Sequence, residues 1–367
     1  MSPRLRLPSL LLLLTTALAA GCADEGRSRA LSQDELAAQA AREDGLVLTY
    51  GMPDSYGGYR GFFELFERTY GIRRLDIDMS SSAVMRRFAE EREDPAVDAA
   101  VAGYLYGPAA VEQGLLDCVP IDAAEALPDW ATGPTDGDCR SWFASFTGTL
   151  GFMVNTEVIA EPPRSWEDLL REDLDGQVAF IDPRAAATGV ATLLAAARAR
   201  GGSAANPGPG IDLLREIARR GDLENVLTRQ DYAGFVRGTR PIQINYDYNL
   251  LQLRETYNID CIFVYPSEGT VQVPYSTMLV KDRPHPAGGR LLVEALLSEK
   301  GQSAMAEGHV TPVLPGVPLS PEIQAMAAAS AFDPTAVEPV DWLEVGRRVE
   351  EMKAAFDAAM VPLEGER

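Results

Sequence analysis

Histidine is nearly missing from this sequence: His285 and His309 are the two that occur in 367 residues. A histidine-based acid–base centre or a multi-histidine metal site has little to be built from. The motifs of other common chemistries are missing as well. There is no Gly-x-Ser-x-Gly elbow, no phosphate loop ending in Gly-Lys-Ser/Thr, no His-Glu-x-x-His, no Cys-x-x-Cys and no Gly-x-Gly-x-x-Gly after a strand. These absences argue against an enzyme and give no reason to expect a cofactor. Positive charge is also scarce, with 33 Lys and Arg against 54 Asp and Glu and a net charge of -21. Such a surface repels phosphate backbones, so nucleic acid is not an expected partner. Beyond the amino terminus no run approaches the roughly 20 apolar residues of a membrane-spanning helix.

What is present begins with a leader. Arg4 and Arg6 precede the leucine-rich stretch 10–14, and small residues lead to Leu18-Ala19-Ala20-Gly21-Cys22. The run into Gly-Cys resembles a bacterial lipobox, which makes Cys22 the lipidated first mature residue. Ala19 stands where that pattern prefers Leu, so cleavage without lipidation also fits. Loss of residues 1–21 removes two arginines and no acid, which takes the net charge from -21 to -23. Residues 22–44, polar and Ala-rich, read as a tether with some helix. An oxidising compartment permits a Cys118 to Cys139 disulfide around a loop rich in Asp, Gly and Pro, whereas Cys261 reads as a buried free thiol.

A 46% apolar content is that of a globular protein, and the length suits two lobes. Strand, polar loop and helix then recur along the chain. Residues 46–50 read as a strand followed by a Gly-rich loop carrying Asp54 and Tyr56, then a helix with Phe62, Leu65, Phe66 and Tyr70 stopped by Gly71. Residues 75–79 lead into Ser80, Ser81 and Ser82, hydroxyls that open a helix and can hold an anionic oxygen. Residues 96–102 end at Tyr104 and Tyr106. The long extended run 142–155 is the expected first crossing between lobes. Ser165 and Asp168 suggest a capping box opening a helix through Leu170. Residues 178–181 lead through Asp182 and Arg184 to Thr188, Gly189 and an Ala/Leu helix. A Gly/Pro linker, 201–210, precedes a helix over 211–220. Residues 241–270 read as strand, corner, helix, strand, corner, with polar corners at Asn245, Tyr246, Asp247, Tyr248 and Asn249 and at Ser267, Glu268 and Thr270. Polar corners at the carboxyl ends of strands are where open α/β sheets hold ligands. The strand 271–280 is expected to return the chain to the first lobe. An amphipathic helix over 290–307 and carboxyl-terminal helices with Trp342, Val345 and Val349 complete the chain. His285, between prolines, reads as a solvated loop residue.

In chain order, several of these features form a recognisable series. They are the leader, the strand into Tyr50, the serine loop, Asn155 with Pro163-Arg164-Ser165-Trp166-Glu167-Asp168-Leu169-Leu170, and Asp182-Pro183 with Thr188-Gly189. Asn245-Tyr246-Asp247-Tyr248-Asn249, Pro266-Ser267-Glu268-Gly269-Thr270 and Leu297-Ser298-Glu299-Lys300-Gly301-Gln302 continue it. The series, over residues 45–315, resembles the extracellular solute-binding proteins of ATP-binding-cassette importers. The branch it resembles groups ferric-iron, thiamine, polyamine and phosphonate or sugar-phosphate binders. That resemblance implies an α/β, two-lobed type II periplasmic-binding fold with crossing hinge strands. The expected lobes are 45–150 with the return 266–315, and 151–265, followed by helices over 316–367. It further implies a monomer in the periplasm or cell envelope, tethered by lipid, that serves a permease and ATPase. A ligand-presenting sensor is the alternative.

The candidate ligand residues are Tyr50, Asp54, Tyr56, Ser80, Ser81, Ser82, Tyr104, Thr188, Tyr246, Asp247, Tyr248 and Glu268. Tyr50, Tyr56, Tyr104, Tyr106, Trp142, Tyr246 and Tyr248, with Asp54, Asp247 or Glu268, suit an organic cation such as a polyamine or thiamine. The serines with Thr188 and Gly189 suit a phosphate, phosphonate or carboxylate. Ferric binders in the family use adjacent tyrosines, often with histidine and glutamate. Here Asp247 separates Tyr246 from Tyr248, which leaves Fe(III) as the alternative cargo.

Overall fold

The structure is a computed structural model that describes residues 31–133, 139–334 and 337–365. In chain order its elements are α1 (Gln33–Ala40), β1 (Leu46–Tyr50), α2 (Tyr59–Tyr70), β2 (Arg73–Ile77), α3 (Ser81–Glu90), β3 (Ala99–Gly103), α4 (Tyr106–Glu112) and β4 (Trp142–Asn155). Next come β5 (Val178–Ile181), α5 (Ala187–Ala199), α6 (Gly208–Arg220), β6 (Val226–Leu227), α7 (Tyr232–Val236), β7 (Ile242–Tyr246), α8 (Asp247–Tyr257), β8 (Cys261–Val264) and β9 (Gln272–Leu279). The last helices are α9 (Pro286–Leu297), α10 (Glu299–Glu307), α11 (Pro321–Ala329) and α12 (Trp342–Gly365). The described strands form one curled sheet in the order β2-β1-β3-β9-β4-β7-β5-β6, with β8 also paired to β4.

β4 joins the two lobes. Its first half, Trp142 to Thr149, pairs antiparallel with β9. Its second half, Leu150 to Asn155, pairs with β7 and β8. All fourteen of its residues are buried, as expected for a strand covered on both faces. One lobe therefore holds β1, β2, β3 and β9, and the other holds β5 to β8. In the first lobe β1 is parallel to β2 and β3, so their carboxyl ends open on one side. In the second, β5 is parallel to β6 and β7, and their carboxyl ends face back toward the first lobe's loops.

Local sequence accounts for the helices that flank these strands. In α2, Tyr59, Phe62, Phe63 and Phe66 fall on one buried face, and Gly71 ends the helix at φ 69°. α5 is Ala- and Leu-rich and buried nearly all round. Its first turn packs so tightly on the end of β5 that a Cβ at Gly189 would meet the Asp182 carbonyl oxygen at 2.4 Å, which only glycine avoids. α12 spans both lobes. Gly346 lies against Leu105 in the first, while Phe356 meets Phe180, and Asp357 and Glu364 bind Arg184 at 2.7 and 3.1 Å in the second.

Several expectations need correction. Residues 33–40, the helical part of the expected tether, form α1, whose Ser32 and Glu35 make a capping box and whose buried Leu36 and Ala40 pack it on the fold instead of leaving it a free linker. Glu43 accepts hydrogen bonds from the first amides of α9. The single helix expected over 290–307 is two, because Ser298 turns to an extended conformation and its side chain caps α10 at Gly301 N. Ser165 and Asp168 do cap each other's amides, yet they open a short 3-10 turn and not a full helix. His285 is not solvated: it is 8% exposed, with Nδ1 2.9 Å from Asp98, whose other oxygen accepts the His285 amide at 2.6 Å. The leader and Cys22 lie outside the described residues.

Cys118 and Cys139 form a disulfide, and Cys261 is a buried free cysteine whose thiol is pushed up to about 11 by burial. The crosslink spans 21 positions and leads directly into β4. Closing a loop of that length restricts the unfolded chain by about 3 kcal/mol. The paired substitution Cys118→Ser and Cys139→Ser is expected to lower the urea midpoint by a corresponding amount. An unchanged midpoint would contradict this contribution.

Candidate ligand-binding site

The loops at the carboxyl ends of both sets of parallel strands surround a cavity of about 730 Å3. That is the place where open α/β sheets bind ligands, and the size is within the range of small-molecule sites. From the first lobe it is lined by Tyr56 after β1, Asp78 to Ser82 after β2, Tyr106 of α4 and Tyr275 of β9. The second lobe contributes Ala185 to Thr188 after β5, Thr228, Arg229 and Gln230 after β6, Tyr232, Tyr246 and Asn249.

α3 and α5 both begin at this cavity without side-chain caps. Ser80 is the N-cap of α3, and no side chain accepts from that helix's first amides. The serine hydroxyls are turned elsewhere: Ser80 and Ser82 lie 3.2 Å apart, and Ser81 Oγ accepts from the Gly103 amide at 2.9 Å. Ala186, the N-cap of α5, has no side chain able to accept. Among the described residues the amides of Ser81, Ser82, Ala187 and Thr188 therefore have no protein acceptor. Side chains of Ser32, Asp231, Ser298 and Ser320 cap α1, α7, α10 and α11, whereas α2, α4, α6, α8 and α9 also start without an N-cap side-chain bond. Uncapped amides at the positive end of a helix dipole bind oxyanions, and here one such end comes from each lobe. Arg229 and Asp78 are the charged residues of the lining, and Arg229 forms no ion pair among the described residues.

Phenols form the remaining wall. Tyr246 stacks on Tyr248 at 5.5 Å and 10°, and the Tyr248 hydroxyl shares a 2.5 Å hydrogen bond with that of Tyr56. Tyr275 meets both Tyr56 and Tyr246 edge to face. The buried Tyr246 hydroxyl makes no hydrogen bond of good geometry, although Thr188 and Tyr275 face it. Burial first, and neighbouring phenols second, hold Tyr56, Tyr246 and Tyr248 well above the ordinary tyrosine pKa. They are neutral donors at neutral pH and not ready phenolates.

Of the residues singled out in the sequence, Tyr56, Ser80, Ser81, Ser82, Thr188 and Tyr246 line the cavity. Tyr248 stands one layer behind, on Tyr56. The other five are engaged elsewhere. Tyr50 donates to Glu91 at 3.0 Å, exposed Asp54 pairs with Arg74, and Tyr104 donates to the Trp130 carbonyl. Glu268 accepts from the Trp166 amide at 3.0 Å. Asp247 is 1% exposed and accepts from the amides of Thr149 and Tyr248 and from the Tyr265 hydroxyl. The box of aromatics and carboxylates for an organic cation does not assemble, because none of its three acids reaches the cavity. Sequence reasoning missed Arg229, Gln230 and Tyr232, since β6 is two half-buried residues long and gives no strand signal.

Residues 105–340 match the family of bacterial extracellular solute-binding proteins. The chain belongs to that family. This solute-binding protein is 24% identical over 286 residues to a putative 2-aminoethylphosphonate-binding periplasmic protein of Salmonella paratyphi A, covering 76% of this chain and 81% of that one. In fold it is similar to the periplasmic binding protein AfuA of Actinobacillus pleuropneumoniae, solved with fructose-6-phosphate, at TM-score 0.68 and 20% identity over 87% of this chain and 98% of that one. The apo ferric ion-binding protein A of Pasteurella haemolytica matches at TM-score 0.66 and 17% identity over 86% and 98%. These likenesses establish the two-lobed type II periplasmic-binding fold for the solute-binding protein.

Asp247 offers a test of the electrostatics at this corner. Burial pushes its carboxyl up to about 6 against the pull of the Tyr248 and Thr149 amides, while an unfolded carboxyl titrates near 3.8. The folded protein thus binds this proton more tightly than the unfolded chain. Its stabilising effect is complete below about pH 4 and is lost as pH rises through 6, a change on the order of 3 kcal/mol. In Asp247→Asn, which keeps the acceptor for both amides, that component of the pH profile of the urea midpoint is expected to vanish. Identical profiles for the two proteins would assign the carboxyl an ordinary pKa.

Proposed function

We propose that this protein captures a small organic phosphate or phosphonate in the interlobe cavity and delivers it to an ATP-binding-cassette permease, held at the envelope by lipid on Cys22. The observation that carries the reading is the pair of uncapped helix starts, α3 and α5, presenting free amides to one cavity from opposite lobes. A tetrahedral oxyanion has enough acceptors to use both at once, so it rewards closure. Arg229 adds a full charge and Tyr246 a neutral donor. The names of the Salmonella relative and of AfuA's bound sugar phosphate point to the same ligand chemistry.

The two lobes, approximately 45–150 with 266–315 and 151–265, close on the ligand about the crossing strands β4 and β9. Asp78 is the acid on the wall, and a solute with a cationic group as well as the anion suits it. Polyamines and thiamine are disfavoured, because a cation would meet Asp78 alone while facing two positive helix ends. The converging phenols of Tyr56, Tyr246, Tyr248 and Tyr275 favour Fe(III) as the second reading. Among the described residues no group of three or more His, Cys, Asp or Glu is placed to hold a metal ion. A binder of this kind performs no chemistry on its solute.

A thermal-shift and calorimetric series with 2-aminoethylphosphonate, fructose-6-phosphate, inorganic phosphate, spermidine, thiamine and Fe(III) tests the reading. A phosphonate or phosphate ester is expected to give the largest upward shift. Arg229→Ala is expected to weaken that ligand by about ten- to a hundredfold, the loss of one charged hydrogen-bonding partner. The strongest response from spermidine, thiamine or Fe(III), or indifference to Arg229→Ala, would overturn it.

A further inference from the structure

We infer that Gly103 is a positioning residue for ligand binding: it is a floor contact on which the cleft closes, and its missing side chain sets the spacing of the two helix starts. Gly103 is the last residue of β3 in the first lobe, and Ala187 is the first residue of α5 in the second. A Cβ placed on Gly103 would lie 2.9 Å from the Ala187 Cβ, closer than real Cβ contacts come. The backbone of one lobe thus rests on the methyl of the other. On its other side the Gly103 amide donates to Ser81 Oγ at 2.9 Å, in the first turn of α3.

Gly103 is therefore wedged between the two uncapped helix starts. Moving it apart from Ala187 moves the Ser81 and Ser82 amides away from those of Ala187 and Thr188. Gly103 is in a strand and not at positive φ, so its backbone does not itself demand glycine. The space does. A methyl at this position has to restore ordinary van der Waals separation by holding the lobes apart, and the amides then cannot reach one oxyanion together. The same contact explains why a serine that opens a helix at a ligand site is not itself free: Ser81 ties α3 to the closure floor, leaving Ser80 and Ser82 with the amides.

This inference rests on reading the cavity as an anion site, and its test keeps the two separable. Gly103→Ala, Ala187→Gly and the double variant would be compared with the unaltered protein. The readouts are calorimetry with 2-aminoethylphosphonate and with inorganic phosphate, and small-angle scattering without ligand. Gly103→Ala is expected to enlarge the radius of gyration and to weaken binding about tenfold or more, the cost of one lost hydrogen bond to a charged group. The double variant, in which the opposing methyl is gone, is expected to return both quantities to near the unaltered values. Rescue by a residue on the other lobe is not something a mere folding defect would show. Unaltered scattering and affinity in Gly103→Ala, or failure of Ala187→Gly to rescue it, would overturn the proposal. Should neither probe bind the unaltered protein, the anion reading falls, and the scattering comparison alone still decides the closure contact.

Discussion

A single strand shared by the two lobes' halves of one sheet constrains everything else in this fold. β4 gives its first half to β9 and its second to β7 and β8, so neither lobe has a complete sheet without it. Its full burial makes it costly to distort, so in the proposed closure it is the fixed element about which the lobes turn. Because the parallel strands of both lobes point their carboxyl ends at the space beside β4, the loops after them meet there. The ligand cavity is in this sense a consequence of topology, and the side chains of the loops decide what enters it.

What enters is decided against the protein's overall charge. A net charge of -21 repels an anion at long range, but that field is screened over about 8 to 10 Å at ordinary salt. Inside the cavity the relevant charges are the partial ones of two helix ends and the full one of Arg229. Several acids elsewhere are already occupied: Asp182 and Asp357 by Arg184, Glu43 by the start of α9, and Asp98 by His285. Local donors, with Asp78 the acid on the wall, therefore outweigh a distant, screened majority of acids. α12 adds a mechanical link, because the Arg184 it holds belongs to the turn that presents the start of α5.

How far the site could be read in advance depends on the same geometry. β1 and β5 are legible residue for residue, as short apolar runs ended by Gly or Pro, and Ser80 to Ser82 and Thr188 come from the rule that polar loops after strands face the cleft. Tyr50 and Tyr104 obey that rule in position and break it in direction. A residue at a strand end points to one face or the other, and theirs lead to Glu91 and to Trp130. Asp247 at the strand-to-helix junction turns inward to the Thr149 amide, a partner ninety-eight positions away that no local pattern reveals. Arg229 comes after a strand too short to leave a periodicity. The pairing of the two helix starts is likewise invisible in sequence, since each looks like an ordinary uncapped helix until the fold sets them face to face.

The most direct test is the structure of the protein crystallised with 2-aminoethylphosphonate. The phosphonate oxygens are expected within hydrogen-bond distance of the Ser82 and Thr188 amides and of the Arg229 guanidinium. A ligand seated with its phosphonate away from both helix starts, or a metal ion bound by Tyr246 and Tyr248 in its place, would contradict an anion site built from two facing helix ends.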